Sequence, residues 1–296
     1  MLIQLKPSRE IRLWRTVTAA LAITALLCSA AALAEDTDLQ QQVHVCSAET
    51  SGANPVSADA KIAACTVLLQ SDHLTVRGKA DVYVWRSRGY SAKGDSANEM
   101  KDLDAAVKTD PTDPNAWAQS CSAHTWTGNE IGRALKECST AIQLAPEGGS
   151  PWTFRGDIYL IQHDYKRAIA DYSHAIRLSP GWMWPWDNRG EAYLRSGDFD
   201  HAMTDFDQVI KLAPDYAMGY LDHGIAQIRK GNLDAAMTDF EAALKVEPKS
   251  ASALYGRGVV KVLKGDRVGG EADIAASRAI SPSVAKMFDE DGVRTP

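Results

Sequence analysis

The sequence predicts an all-α protein built from tandem helix hairpins, on three observations. Prolines recur every 34 residues, at Pro146, Pro180, Pro214, Pro248 and Pro282. Glycines keep the same interval at Gly156, Gly190, Gly224 and Gly258, and so do the large residues Trp152, Trp186, Tyr220 and Leu254. Residues of different chemistry share one register, so the period belongs to the architecture; an internal repeat of this length signals a solenoid whose units bury their apolar faces on one another. Such an array presents surface more readily than it encloses a reaction.

Each element can be justified in chain order within the unit. The first helix carries its large residue four positions before the glycine, as in Trp152/Gly156 and Trp186/Gly190. The second carries a small residue, an aromatic four on and a small or β-branched residue three on: Ala168, Tyr172, Ala175, then Ala202, Phe206, Val209, then Ala236, Phe240, Ala243. Steps of four and three share one helical face, so the small residues admit a neighbouring backbone and the aromatics fill the gap. Between the two helices, Gly197-Asp198, Gly231-Asn232 and Gly265-Asp266 supply a left-handed stop and an N-cap. The proline, lacking an N–H and disfavouring helix just before it, closes the unit.

With these residues in place, the chain resembles the tetratricopeptide repeat (TPR) family: Trp152-Phe154-Arg155-Gly156-Tyr159 with Ala168-Tyr172-Ala175-Pro180 follows its pattern, Arg155 standing at the usual Leu position. The resemblance implies a right-handed superhelical solenoid that binds proteins or peptides. It is specific from about Asn115 to Pro282, in units near 115–148, 149–182, 183–216, 217–250 and 251–284. Trp117 to Pro146 fits with one residue added between its helices. A degenerate unit at 81–114, with Trp85, Arg88, Gly89 and Pro111, fits with about two removed. The last unit departs at Lys261 and Gly270, as end repeats do. Residues 285–296 are expected to form a capping helix and tail.

Residues 1–34 read differently. Lys6, Arg9, Arg12 and Arg15 precede an apolar run from Val17 to Leu33, and Ala32-Leu33-Ala34 places small residues where signal peptidase needs them. A cleaved secretory signal is expected, a retained membrane anchor being the alternative. Cleavage removes four of the 32 basic and one of the 38 acidic residues, which takes the net charge from −6 to −9. Phosphate recognition needs positive charge, so nucleic acid is an unsuitable partner. No second apolar run reaches membrane length. The expected location is the bacterial periplasm or the exterior.

Cys46, Cys65, Cys121 and Cys138 remain after cleavage, an even number in an exported chain. Cys138 stands where other repeats place Tyr172 and Phe206, and Cys121 at the close-contact position of the first helix of its unit. That register pairs Cys121 with Cys138, and leaves Cys46 with Cys65 to staple the N-terminal segment at 35–80; buried free thiols are the alternative. No two cysteines have the short spacing that grips zinc. A Cys-stapled first segment of the Ile62-Ala63-Ala64-Cys65-Thr66 type, a Cys-bearing repeat and the tail Ile280-Ser281-Pro282 to Phe288 are together similar to a group of exported bacterial TPR proteins.

Local motifs for chemistry are missing. The Gly89–Gly94 spacing has Asp95 where a phosphate loop needs lysine, no Gly-x-Ser-x-Gly elbow occurs, and the seven histidines make no metal pattern. No catalytic residue, cofactor or metal is expected. Asp171, Asp205, Asp239 and Asp273 recur every 34 residues, but successive hairpins set them too far apart to share an ion; pairing with Arg155, Arg189 and Arg257 is expected instead.

The candidate binding surface is the inner face of the first helices, read in steps of three and four: Ser150, Thr153, Asp157 and Leu160, then Trp184, Asp187, Glu191 and Leu194, then Met218, Leu221, Ile225 and Ile228, then Tyr255, Val259 and Val262. An acidic middle runs into an apolar C-terminal half. It suits a peptide with apolar anchors and one or two basic residues, unless the apolar half is core or is covered by the tail or a second copy. The first expectation is therefore an exported, non-enzymatic interaction scaffold, with the oligomeric state open. The rival is a periplasmic carrier or receptor for a small ligand or glycan, using the Trp184 region.

Overall fold

The computed structural model describes residues 30–51, 55–127 and 130–293, and among these the chain forms fifteen helices and no strand. The predicted signal segment lies outside the described residues except for its last five, which begin the first helix. No described helix is long and apolar enough to cross a membrane. The chain divides into two compact units, one ending at Pro146 and the other beginning at Glu147.

The first unit contains α1 (Ala30–Ser47), α2 (Ala58–Gln70), α3 (Val76–Ala92), α4 (Ser96–Thr109), α5 (Pro114–Thr127) and α6 (Ile131–Leu144). Cys46 and Cys65 join α1 to α2 with their Cα atoms 5.0 Å apart, in a cluster with Leu68, Leu74 and Val82. Lys61 is buried beside this bridge and donates to the Cys46 carbonyl at 2.7 Å; burial pushes its ammonium below the usual lysine range. A second bridge, Cys121 to Cys138 with Cα atoms 5.2 Å apart, joins α5 to α6.

The second unit contains four hairpins and a short final helix. They are α7 (Gly149–Ile161) with α8 (Tyr165–Leu178), α9 (Met183–Ser196) with α10 (Phe199–Leu212), α11 (Ala217–Lys230) with α12 (Leu233–Val246), α13 (Ala251–Leu263) with α14 (Arg267–Ile280), and then α15 (Val284–Glu290). The repeated glycine is where the aromatic of the second helix touches the first. A Cβ added at Gly156 or Gly190 would lie 2.6 Å from the ring of Tyr172 or Phe206, and one at Gly224 would lie 3.0 Å from Phe240. Those three rings are fully buried, and each fills the space that its glycine leaves.

The turns follow the sequence signal. Gly197, Gly231 and Gly265 adopt φ of 86°, 81° and 95°, and Asp198 and Asp266 cap the helices that follow. In the first hairpin of this unit His163 takes the same position at φ 58°, a conformation costly for a side chain other than glycine's. The register aromatics also tie backwards: Trp186 Nε1 donates to the Pro180 carbonyl and the Tyr220 hydroxyl to that of Pro214, so proline and aromatic are one device.

The expected aspartate pairing is present. Arg155 Nε reaches Asp171 at 2.7 Å, Arg189 reaches Asp205 at 2.7 Å and Arg257 reaches Asp273 at 2.7 Å, each linking the two helices of one hairpin. His223 takes the arginine's place beside Asp239, at 2.9 Å. The same sixteen-residue pairing binds Arg86 to Asp102 in the first unit, a link the sequence reading missed. Where Ser120 stands instead of arginine, Glu137 is met by His124 and Arg133.

Candidate interaction surface

The inner face of the second unit is covered over its C-terminal half by the chain's own end. Phe288 of α15 is fully buried, with its ring 4.8 Å from that of Tyr255 and 6.4 Å from that of Phe240. Val284, Phe288 and Val293 share one apolar cluster with Leu194, Leu221, Ile225, Tyr255 and Val259. Beyond α15, Arg229 donates to the Asp291 carbonyl, and Arg195 lies 3.7 Å from the Asp291 carboxylate. The segment thus runs back from α13 across α11 to α9. Burying three apolar side chains contributes on the order of 5 kcal/mol before the ordering of the segment is counted.

This corrects the groove expected from sequence. Leu194, Leu221, Ile225, Tyr255 and Val259 are buried core, and Ile228 and Val262 are packed against the same cluster. Leu160 packs on the cluster of Ala168, Tyr172 and Ala192. The helical steps did select one face; what they could not show was that residues 284–293 fold onto it. Trp184 and Met218 remain open, at 45% and 43% exposure, and Glu191 is half-buried. The Trp184 ring stands edge-on to Tyr216, with centroids 5.6 Å apart.

In the acidic middle, Asp157 and Asp187 are buried, whereas Glu191 and Asp222 are half-buried. Asp157 accepts from the Tyr172 hydroxyl and from Asn188 Nδ2, both at 2.8 Å. Desolvation pushes its carboxyl up to about 6 against those two bonds, and the Glu191 charge adds to the rise. Asp187 accepts from the Tyr216 hydroxyl at 3.2 Å through Oδ2, while its buried Oδ1 meets no donor. Desolvation, with Glu191 nearby, pushes it to about 6 as well. Asp222 is pushed well above the usual carboxylate range, by desolvation first and then by the charges of Asp187, Glu191 and Asp291. Among the described residues, the one guanidinium paired with a carboxylate of this group is that of Arg195, shared between Glu191 at 2.8 Å and Asp291.

Two other concavities carry polar side chains. A cavity of about 450 Å³ lies among His163, Tyr165, Arg195, Arg229 and Asp291 in the second unit. In the first unit, a groove of about 620 Å³ is lined by Ser87, Arg88, Ser91, Glu99, Gln119 and Trp126. Asp104, His124 and Glu137 could bring three ligand atoms within 4.8 Å of one another. Arg133 already occupies that position, bonding to both Asp104 and Glu137, so the cation there is a side chain.

Family models of the tetratricopeptide repeat match residues 150–181, 185–216 and 221–283. Residues 150–283, all in the second unit, are therefore an array of tetratricopeptide repeats. No curated protein sequence matches it. Among solved structures it is similar to PilF of Pseudomonas aeruginosa, at 18% identity over 73% of this chain and 100% of that one, with a TM-score of 0.62. A tetratricopeptide repeat protein of Parabacteroides merdae aligns at 14% identity over 79% of this chain and 92% of that one, with a TM-score of 0.60. YrrB, described as having an unusual peptide-binding site, aligns at 20% identity over 63% of this chain and 94% of that one, with a TM-score of 0.52. At these identities the likeness speaks for the fold. The repeats themselves support a protein-interaction scaffold.

Proposed function

We propose that the protein is an exported scaffold of the bacterial envelope that captures a protein partner through a short segment laid along α7, α9 and the start of α11. The observation that carries this reading is the contrast along one face: Trp184 and Met218 stand open, Asp157 and Asp187 of the same face have no ion pair among the described residues, and the C-terminal half of that face is sealed by the chain's C-terminal segment. Export is supported by the charged and apolar leader and by two cysteine pairs, a covalent device suited to oxidising compartments. The peptide-binding site named for YrrB supports the use of such an array for peptides.

A photo-crosslinking residue at Met218, in cells expressing the full chain, should capture one protein that the same residue at exposed Lys211 on α10 does not. Trp184→Ala should abolish the adduct. Equal capture from both positions would contradict the reading. Mass measurement of the mature chain should find it beginning at Glu35; a chain retaining residues 1–34 would contradict processing.

A further inference from the structure

We propose that Asp157, Asp187, Glu191 and Asp222, together with the rim formed by Trp184 and Tyr216, are a recognition pocket for one arginine side chain of the partner segment. This rests on the scaffold reading and specifies the chemistry of the same site. The pocket draws on three helices: Asp157 from α7, Asp187 and Glu191 from α9, and Asp222 from α11. Asp157, Asp187 and Asp222 have no ion-pair partner among the described residues.

Asp187 points beyond a mere accumulation of acid. It is 8% exposed, one oxygen is held by Tyr216, and the other is buried with no donor, although nearly all buried polar atoms in native proteins have one. Leaving a carboxylate oxygen so placed costs stability, and an arriving N–H donor would recover it. Asp222 is half-buried, and Trp184 at the rim is 45% exposed. A guanidinium suits the cluster better than an ammonium. Its planar fork can serve two carboxylates at once, and its face can stack on Trp184, whose edge contact with Tyr216 fixes the ring.

The groups facing the pocket set its pH dependence. They are Tyr172 from α8, Glu191 and Arg195 from α9, Tyr216 before α11, Asp222 and Arg229 on α11, and Asp291 after α15. Asp157 and Asp187 take up protons near pH 6, so cation binding is full above pH 7 and falls away towards pH 5.

The test compares two short peptides with no other charged side chain, identical except for one arginine or its uncharged isostere citrulline, by calorimetry on the full chain. At pH 7.5 the arginine peptide should bind at least about tenfold more tightly, the size expected of one charge-assisted contact. The preference should shrink to about twofold at pH 5 and in Asp187→Asn, while Asp215→Asn, on an exposed turn, keeps it. Asp187→Asn should melt no lower than the native chain, which separates lost recognition from lost fold. Equal binding of the two peptides, no binding of either, or an unchanged preference in Asp187→Asn would overturn the pocket. Arg294 follows Val293 in sequence; a preference visible only in Arg294→Ala would mean that the chain's own end fills the pocket, which also overturns a partner arginine. If the Met218 adduct persists while the arginine preference is missing, the scaffold reading stands and the pocket alone fails.

Discussion

The hairpin α5–α6 of the first unit and the hairpins of the second solve one packing problem in two ways. In α7–α8 and α9–α10, a glycine on the first helix receives an aromatic ring from the second, with Tyr172 over Gly156 and Phe206 over Gly190. In α5–α6 the matching positions hold Cys121 and Cys138, joined covalently. The ring derives its stability from buried apolar surface in the folded state. The bridge derives its own largely from restricting the unfolded chain. Among the described residues the second unit gathers a large apolar cluster from Leu194 to Val293 beside a smaller one around Tyr172, whereas the first carries smaller ones around Cys65 and around Leu103. Where the aromatic core is thin, covalent bonds replace it.

The comparison can be broken most sharply at the ring. Phe206→Ala should cost about 4 kcal/mol, as truncating a buried phenyl ring does, and hydrogen exchange should rise in α9 and α10 with no effect of reductant. Replacing both Cys121 and Cys138 by alanine should cost about 3 kcal/mol on the chain-entropy account, with faster exchange confined to α5 and α6 and no further change in those two helices on adding reductant, which then acts only on the Cys46–Cys65 bridge. A loss that spread equally to α9 and α10 would mean that the two units do not behave as separate packing systems.

Smaller effects sharpen the account of the second unit. Asp157 and Asp187 have folded values raised to about 6, above the unfolded carboxyl. Between those two values the folded chain holds protons that the unfolded chain has released, so stability rises as pH falls from 7 to 5, by about 1 kcal/mol for each carboxyl. His223, raised above 6.5 by Asp239 against its desolvation, pushes in the same direction only above about pH 6.5 and is constant below it. Subtracting the profile of Asp187→Asn isolates its share: the variant should be more stable at pH 7 and less dependent on pH. Smallest is His163→Gly, which relieves a left-handed φ and should gain up to about 1 kcal/mol in thermal unfolding, net of the added chain entropy.

Much of the repeat was legible because its determinants are local or strictly periodic. Proline, glycine, cap and aromatic each act within one hairpin, so a 34-residue register assigns them together. The same register shows why Asp171 pairs with Arg155 and where Cys138 belongs. It also contained the left-handed position of His163, one period before Gly197, though no glycine marked it.

The inner face was harder to read, because its fate depends on contacts between distant segments. Ile225 and Tyr255 have the spacing of exposed groove residues, and only the return of Phe288 and Val293 makes them core. Likewise, Asp187 reads as a charged surface residue until Tyr216, from the loop before the next hairpin, covers one of its oxygens. The sequence announced an acidic middle; burial and the orphaned oxygen come from neighbours that no short window includes.

The measurement that bears most directly on this account is hydrogen exchange on the native chain and on a chain ending at Pro282. The account predicts that residues 284–293 are protected in the native chain, and that their removal speeds exchange along α11 and α13 while leaving α7 and α8 unchanged. Exchange of residues 284–293 at the rate of an unfolded chain, with α11 and α13 indifferent to their removal, would contradict it and return Ile225 and Tyr255 to an open groove.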